Sequence, residues 1–273
     1  MTIIPEQVVL PSGVSIEYAA SGDADGTPVV LIHGWSDSWR SYEAVLAHLP
    51  ESVRAYAISL RGHGDSSRPA IGYDVTTFAA DVDCFLSALG VESAAVVGHS
   101  MGSMVAARYA IDVPSRVDSL VLVGAKPTFS TDHVLADAYA AVDRMEDPVD
   151  AAFVREFQES TVVRPVADGL IDTAVLESLK LPARVWRASM YGTLHTDFSH
   201  ELCSIDAPTL LVSGEYDELC PPAAQQELLE AIPQARLVEY AGAGHAMHWE
   251  SPQRFARDLA VFVQNAVPAR DAA

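Results

Sequence analysis

Four short apolar runs, each closed by a glycine-bearing loop, constrain this chain more than any other feature. They read PVVLIHG (28–34), VRAYAISLRG (53–62), AAVVGHS (94–100) and VDSLVLVGA (117–125). Runs this short, this apolar and this rich in β-branched residues suit strands buried on both faces. Helical patterns lie among them. VTTFAADVDCFLSALG (75–90) is closed by Gly90, and MVAARYAIDVP (104–114) stops at Pro114. Ahead of them, EQVVLPSGVSIEYAASG (6–22) predicts two strands joined at Pro11-Ser12-Gly13. Strand and helix in alternation imply an α/β fold, a mostly parallel sheet doubly wound by helices.

The rhythm breaks at Lys126-Pro127. From there to about His200 the patterns are helical, and strand rhythm resumes only at APTLLVSGEYD (207–217). A helix after Pro221-Pro222, the strand ARLVEYAG (235–242) and a last helix opening at Ser251-Pro252 complete the series. This predicts one core built from 1–126 and 201–273, with 127–200 inserted as a helical cap. Ligands of such sheets bind beyond the carboxyl ends of the strands, so each strand-end loop is a place to look for chemistry.

Composition narrows the classes. Lys and Arg number 17 against 37 Asp and Glu, a formal charge of -20 that repels phosphate backbones and anionic membranes. Nucleic-acid and membrane partners are therefore not expected. No apolar run reaches the ~18 residues of a membrane helix, and MTIIPEQVVLPSG does not read as a signal peptide, which makes the cytoplasm the expected location. Cys84, Cys203 and Cys220 are too few and scattered for a disulfide framework or a zinc cage. The nine histidines include no HExxH pair. No metal or cofactor is expected.

The stretch VVGHSMGS (96–103) carries the chemistry. Gly98-His99-Ser100-Met101-Gly102 fits G-x-S-x-G between a predicted strand and a predicted helix. A serine at the tip of such a turn has a strained backbone, needs glycine two residues to either side, and places its hydroxyl at a helix N-terminus. His99 is a poor base, because adjacent side chains on a tight turn diverge and a base must come within ~2.6–3.2 Å of the hydroxyl. Better partners lie on two later strand-end loops. GAGHAMHWE (242–250) offers His245 and His248, and His245, next to the strand end, is preferred. His248 is expected to pack near the final helix with Trp249. GEYDELC (214–220) offers Glu215, Asp217 and Glu218, of which Asp217 can turn back toward the active face. Asp217 would hold the imidazole in the tautomer that accepts the serine proton. Oxyanion donors are expected from the backbone N–H of Met101 and of Trp35, in the loop His33-Gly34-Trp35.

The elements HGW (33–35), RGHGDS (61–66), GHSMG (98–102), GEYD (214–217) and GHAMHWE (244–250) together resemble the α/β-hydrolase family over nearly the whole chain apart from the cap. The resemblance implies catalytic roles for Ser100, Asp217 and His245 and oxyanion roles for Trp35 and Met101. It implies a structural role for RGHGDS, with no catalysis by His63. Ser59 departs from the family, many of whose members carry aspartate there. A serine nucleophile with His99 before it resembles esterases and lipases more than aspartate-dependent dehalogenases. HGW also occurs in cofactor-free perhydrolases. The expected function is a serine hydrolase of a small carboxylic ester or lactone, acting through an acyl-enzyme. The alternatives are perhydrolysis, amide or carbon–carbon hydrolysis on the same triad, or ligand binding without turnover. Trp39, Trp186, Met190 and Tyr191 are the expected pocket residues.

Overall fold

The computed structural model describes residues 3–266, without the side chains of His133 and Val134. Eight strands form one sheet: β1 (Glu6–Val9), β2 (Ser15–Ser21), β3 (Thr27–Ile32), β4 (Val53–Ile58), β5 (Ala94–His99), β6 (Val117–Val123), β7 (Thr209–Gly214) and β8 (Ala235–Tyr240). Their spatial order is β1-β2-β4-β3-β5-β6-β7-β8. β1 and β2 pair antiparallel, as do β2 and β4, and every other pair is parallel. The helices are α1 (Glu43–Leu46), α2 (Val75–Ala88), α3 (Met101–Asp112), α4 (His133–Val142), α5 (Ala151–Ser160), α6 (Leu170–Ser178), α7 (Ala183–Leu194), α8 (Pro222–Ala231), α9 (Met247–Glu250) and α10 (Pro252–Ala266).

Successive strand residues point to opposite faces, so one apolar run feeds two cores. Val30, Ile32, Val96, Leu120 and Leu122 pack with Phe78, Phe85 and Val105 of α2 and α3. Their neighbours Val29, Leu31, Val97, Val121 and Val123 pack with Val45 of α1 and with Phe255 and Leu259 of α10. This double burial explains why the strands read as unbroken apolar runs. Between β6 and β7 the chain forms α4 to α7 and no strand. Among the described residues no helix is long and apolar enough to cross a membrane.

The RGHGDS loop is a web of polar contacts. Arg61 and Asp81 form a buried two-pronged pair at 2.5 and 2.6 Å. His63 is buried, its Nδ1 3.0 Å from the Arg61 carbonyl, and burial drives its pKa down to about 4. Ser59 donates its hydroxyl to Glu17 Oε2 and accepts the Trp39 N–H. Glu17 also accepts the Asp65 N–H, so a carboxylate still serves this loop although position 59 is serine.

Candidate active site

The turn at Ser100 is built by exclusion. β5 ends at His99 and α3 begins at Met101, which leaves Ser100 alone at the bend with φ 53° and ψ -120°. A non-glycine residue pays strain for that conformation. A Cβ on Gly98 would lie 2.0 Å from the Gly102 carbonyl oxygen, and one on Gly102 2.4 Å from that of His33. Glycine is obligatory at both. Met101, the first residue of α3, has no carbonyl one turn back to receive its N–H, and that donor suits an anion beside Ser100.

His245 follows β8 and Asp217 follows β7. The His245 Nδ1 lies 2.9 Å from Asp217 Oδ2, and Asp217 Oδ1 accepts the Leu219 and Cys220 N–H groups at 3.0 and 2.8 Å. Burial pushes the Asp217 pKa up, but His245 and the two amides outweigh it and hold the carboxyl below its ordinary range. A carboxylate there fixes the proton on Nδ1 and leaves Nε2 as the basic nitrogen. The ring rests on Gly124, at the end of β6, where an added Cβ would sit 3.0 Å from Nδ1 and Cε1. Asp217, Cys220 and His245 also bring three donor atoms within 4.8 Å of one another. That set does not suit a metal: the carboxylate is already engaged by three donors, and burial pushes the Cys220 thiol pKa far up, so it stays neutral.

Ser100 and His245 open onto one narrow cavity of about 60 Å³. Trp35, Met101 and Met190 line it with them, beside Phe129, Leu135, Phe157, Leu194 and Leu219. The Trp35 indole N–H donates to Ser189 at 3.0 Å, and its ring meets Phe157 and Trp186 edge-on. The expectation for the pocket needs correction at three positions. Trp39 is fully buried in the 3-10 turn Trp39–Tyr42, in the core on the α1 and α10 face. Trp186 is fully buried behind Trp35 and Phe157 and supports the wall without lining it. Tyr191 points out of α7, half exposed, and stacks on His195 at 3.8 Å. An aromatic residue does not by itself declare which side of its helix or turn it faces.

His99 borders the cavity, but its Nε2 donates to the His245 carbonyl at 3.2 Å, and burial drives its pKa well below the ordinary histidine value. It braces the His245 loop. His248 is buried in α9 with its Nε2 3.1 Å from the Ser41 hydroxyl and its ring near Trp249 and Phe255.

A polar wall went unforeseen. Asp37, two residues past Trp35, is buried and lines the cavity with Gln158 and Thr161 of the helical insertion. Gln158 Nε2 donates to Asp37 Oδ1 at 3.0 Å and to the Ser178 hydroxyl at 2.9 Å. Glu250 is a second unforeseen residue. One of its oxygens accepts the Val163 and Arg164 N–H groups, and the other accepts the Gly244 N–H at 3.0 Å. It clamps the insertion to the loop that carries His245. The available signals were a lone acid in the stretch HGWSDSW and a glutamate just before the final helix.

Comparison with known proteins identifies the family of the fold. Residues 27–252 match the family described as alpha/beta hydrolase fold. The chain is 31% identical to the non-heme chloroperoxidase of Streptomyces lividans over 275 residues, covering 94% of this chain and 99% of that one. It is 27% identical to a bifunctional esterase/perhydrolase of Acinetobacter calcoaceticus, covering 94% and 99%. Among solved structures, an esterase from a Rhodococcus species superposes with a TM-score of 0.84 at 28% identity, covering 97% of this chain and all of that one. With a strained serine between β5 and α3 and a family match over most of its length, this chain belongs to the alpha/beta hydrolase fold family.

Proposed function

We propose that the protein is a serine hydrolase that cleaves a small carboxylic ester or lactone through an acyl-enzyme. The observation that carries this reading is the shared cavity: the Ser100 elbow and the Asp217-held His245 open onto the same apolar space. His245 Nε2 takes the Ser100 proton as the oxygen attacks the substrate carbonyl. The carbonyl becomes an oxyanion held by the Met101 and Trp35 N–H groups. Asp217 stabilises the imidazolium. His245 then gives its proton to the departing alkoxide as the carbon–oxygen bond breaks. Water enters, loses a proton to His245, attacks the acyl carbon and releases the acid and free Ser100. The space is narrow, about 60 Å³, which favours short acyl chains.

A second reading, perhydrolysis, draws on the esterase/perhydrolase relative. Hydrogen peroxide would take the place of water in the second half and release a peracid. The test is turnover of short-chain aryl esters and lactones with and without peroxide. Ester hydrolysis by the wild type and a loss on the order of 10⁶-fold in Ser100→Ala is the expected result. Undiminished hydrolysis by a folded Ser100→Ala would refute the proposal.

A further inference from the structure

Asp37 is a buried carboxyl that the reaction above leaves without a task. Among the described residues none of the ion pairs includes it. Its Oδ1 accepts from Gln158 Nε2, and its Oδ2 has only a long 3.4 Å contact from the Ser41 hydroxyl. It lies where two cavities meet. One is the apolar space around Ser100. The other, of about 300 Å³, lies toward α6 and is lined by Arg40, Glu43, Asp168 and Glu177. Asp37 and Trp249 border both. The lining of the space at Ser100 is mixed: Phe129, Leu135, Met190 and Leu194 are apolar, whereas Asp37, Gln158 and Thr161 are polar, and Gln158 is bonded to Asp37.

We propose that Asp37 is a specificity-determining residue whose carboxyl group donates a hydrogen bond from Oδ2 to an acceptor oxygen on the substrate, a ketone or ether beyond the carbonyl that Ser100 attacks. The proposal rests on the ester-hydrolase reading and names its substrate class: short esters or lactones that carry a second acceptor oxygen. Two groups of observations support it. A buried polar group without a full set of partners is costly unless something binds it, and this one faces the space where substrate must sit. Burial also pushes its pKa up to about 7, against the hydrogen bonds of Gln158 and Ser41 and the charge of His245, so the acid holds a proton to give at slightly acid pH.

The groups around Asp37 permit a clean titration. His99 and His248 are held neutral by burial, and the Tyr42 hydroxyl is pushed up beyond the working range. Arg40, Glu43, Asp168 and Glu177 line the second cavity with it. His245 lowers the Asp37 pKa and so helps set the pH at which the preference is lost, whereas its contact with the ester group common to both ligands cancels in their ratio.

The experiment measures binding of non-reacting complexes. Ester pairs that differ by one ketone, placed in the acyl arm or in the alcohol arm, are titrated calorimetrically into Ser100→Ala protein at pH ~5.5 and ~8.5. One good neutral hydrogen bond predicts that the best-placed ketone improves affinity about fivefold at the lower pH. That preference should disappear at the higher pH, where the donor is lost. Adding Asp37→Asn, which keeps an N–H donor, should retain the preference at both pH values. Adding Asp37→Leu should abolish it at both. If the leucine variant does not fold, the pH dependence and the asparagine variant decide the matter. A ratio that is flat with pH for ketones in both arms overturns the proposal. The hydrolase reading fails separately, by absent turnover in the wild type, because this measurement needs none.

Discussion

Asp217 and Asp37 are buried to nearly the same degree, 2% and 5% exposed, and both feel the charge of His245, yet their carboxyl groups are pushed in opposite directions. Burial alone therefore does not set the charge. Asp217 sits where the chain leaves β7, and two backbone amides plus the imidazole converge on it. Asp37 sits beyond β3 and has one side-chain amide and a long hydroxyl contact. Backbone dipoles fixed by a turn stabilise an anion without further reorganisation, whereas a lone amide from the helical insertion does not offset desolvation. One region holds a permanent negative charge to orient a base. The other holds a carboxyl group that stays neutral until pH about 7. Two carboxyl groups with separated proton affinities are a recurrent sign of divided roles.

The largest effect that would break this contrast is at Asp217. Asp217→Asn keeps the shape but loses the charge that holds His245, and turnover should fall on the order of 10⁴-fold in steady-state ester hydrolysis. A change of less than tenfold would mean that Asp37 or another acid does that work. Next is the floor beneath the imidazole. Gly124 has φ +53°, and a Cβ there would press on the ring, so Gly124→Ala should lower kcat about 10²-fold in the same assay while the protein still folds.

Asp37 gives a stability prediction whose sign follows from its raised pKa. Between the ordinary value of 3.8 and about 7 the unfolded chain gives up this proton and the folded one keeps it. Stability is then lost as pH rises through that window. Asp37→Asn removes the loss and should gain about 4 kcal/mol over the wild type at pH ~8 and almost nothing at pH ~4, read by denaturant unfolding. An equal difference at both pH values would contradict the assignment. The smallest effect concerns the clamp between insertion and core. Glu250→Gln swaps one acceptor oxygen for a donor facing backbone N–H groups. It should cost about 1 kcal/mol and raise hydrogen exchange at Val163, Arg164 and Gly244 before it affects distant amides.

The sequence was most readable where the backbone itself restricts the choice. Gly98 and Gly102 can be nothing else beside a serine bent to positive φ, and strands buried on both faces had to appear as unbroken apolar runs. The loops after β7 and β8 could be found by counting from the strand ends. The pocket wall was much less readable. Trp39, Trp186 and Tyr191 are large and apolar, but facing is set by how the turn after β3 and helix α7 pack, and no local pattern records it. The pair Asp37 and Gln158 spans 121 positions, and Glu250 reaches Val163 and Arg164 across 87 and 86. Long-range polar contacts leave no periodicity in the chain.

The central claim is that Ser100 is a nucleophile activated by His245. Labelling with a fluorophosphonate, followed by peptide mass spectrometry, tests it most directly. A single adduct on Ser100, formed by the wild type and slowed by more than ~10³-fold in a folded His245→Ala protein, is the predicted result. No adduct on Ser100, or one that forms equally fast without the imidazole, would contradict it.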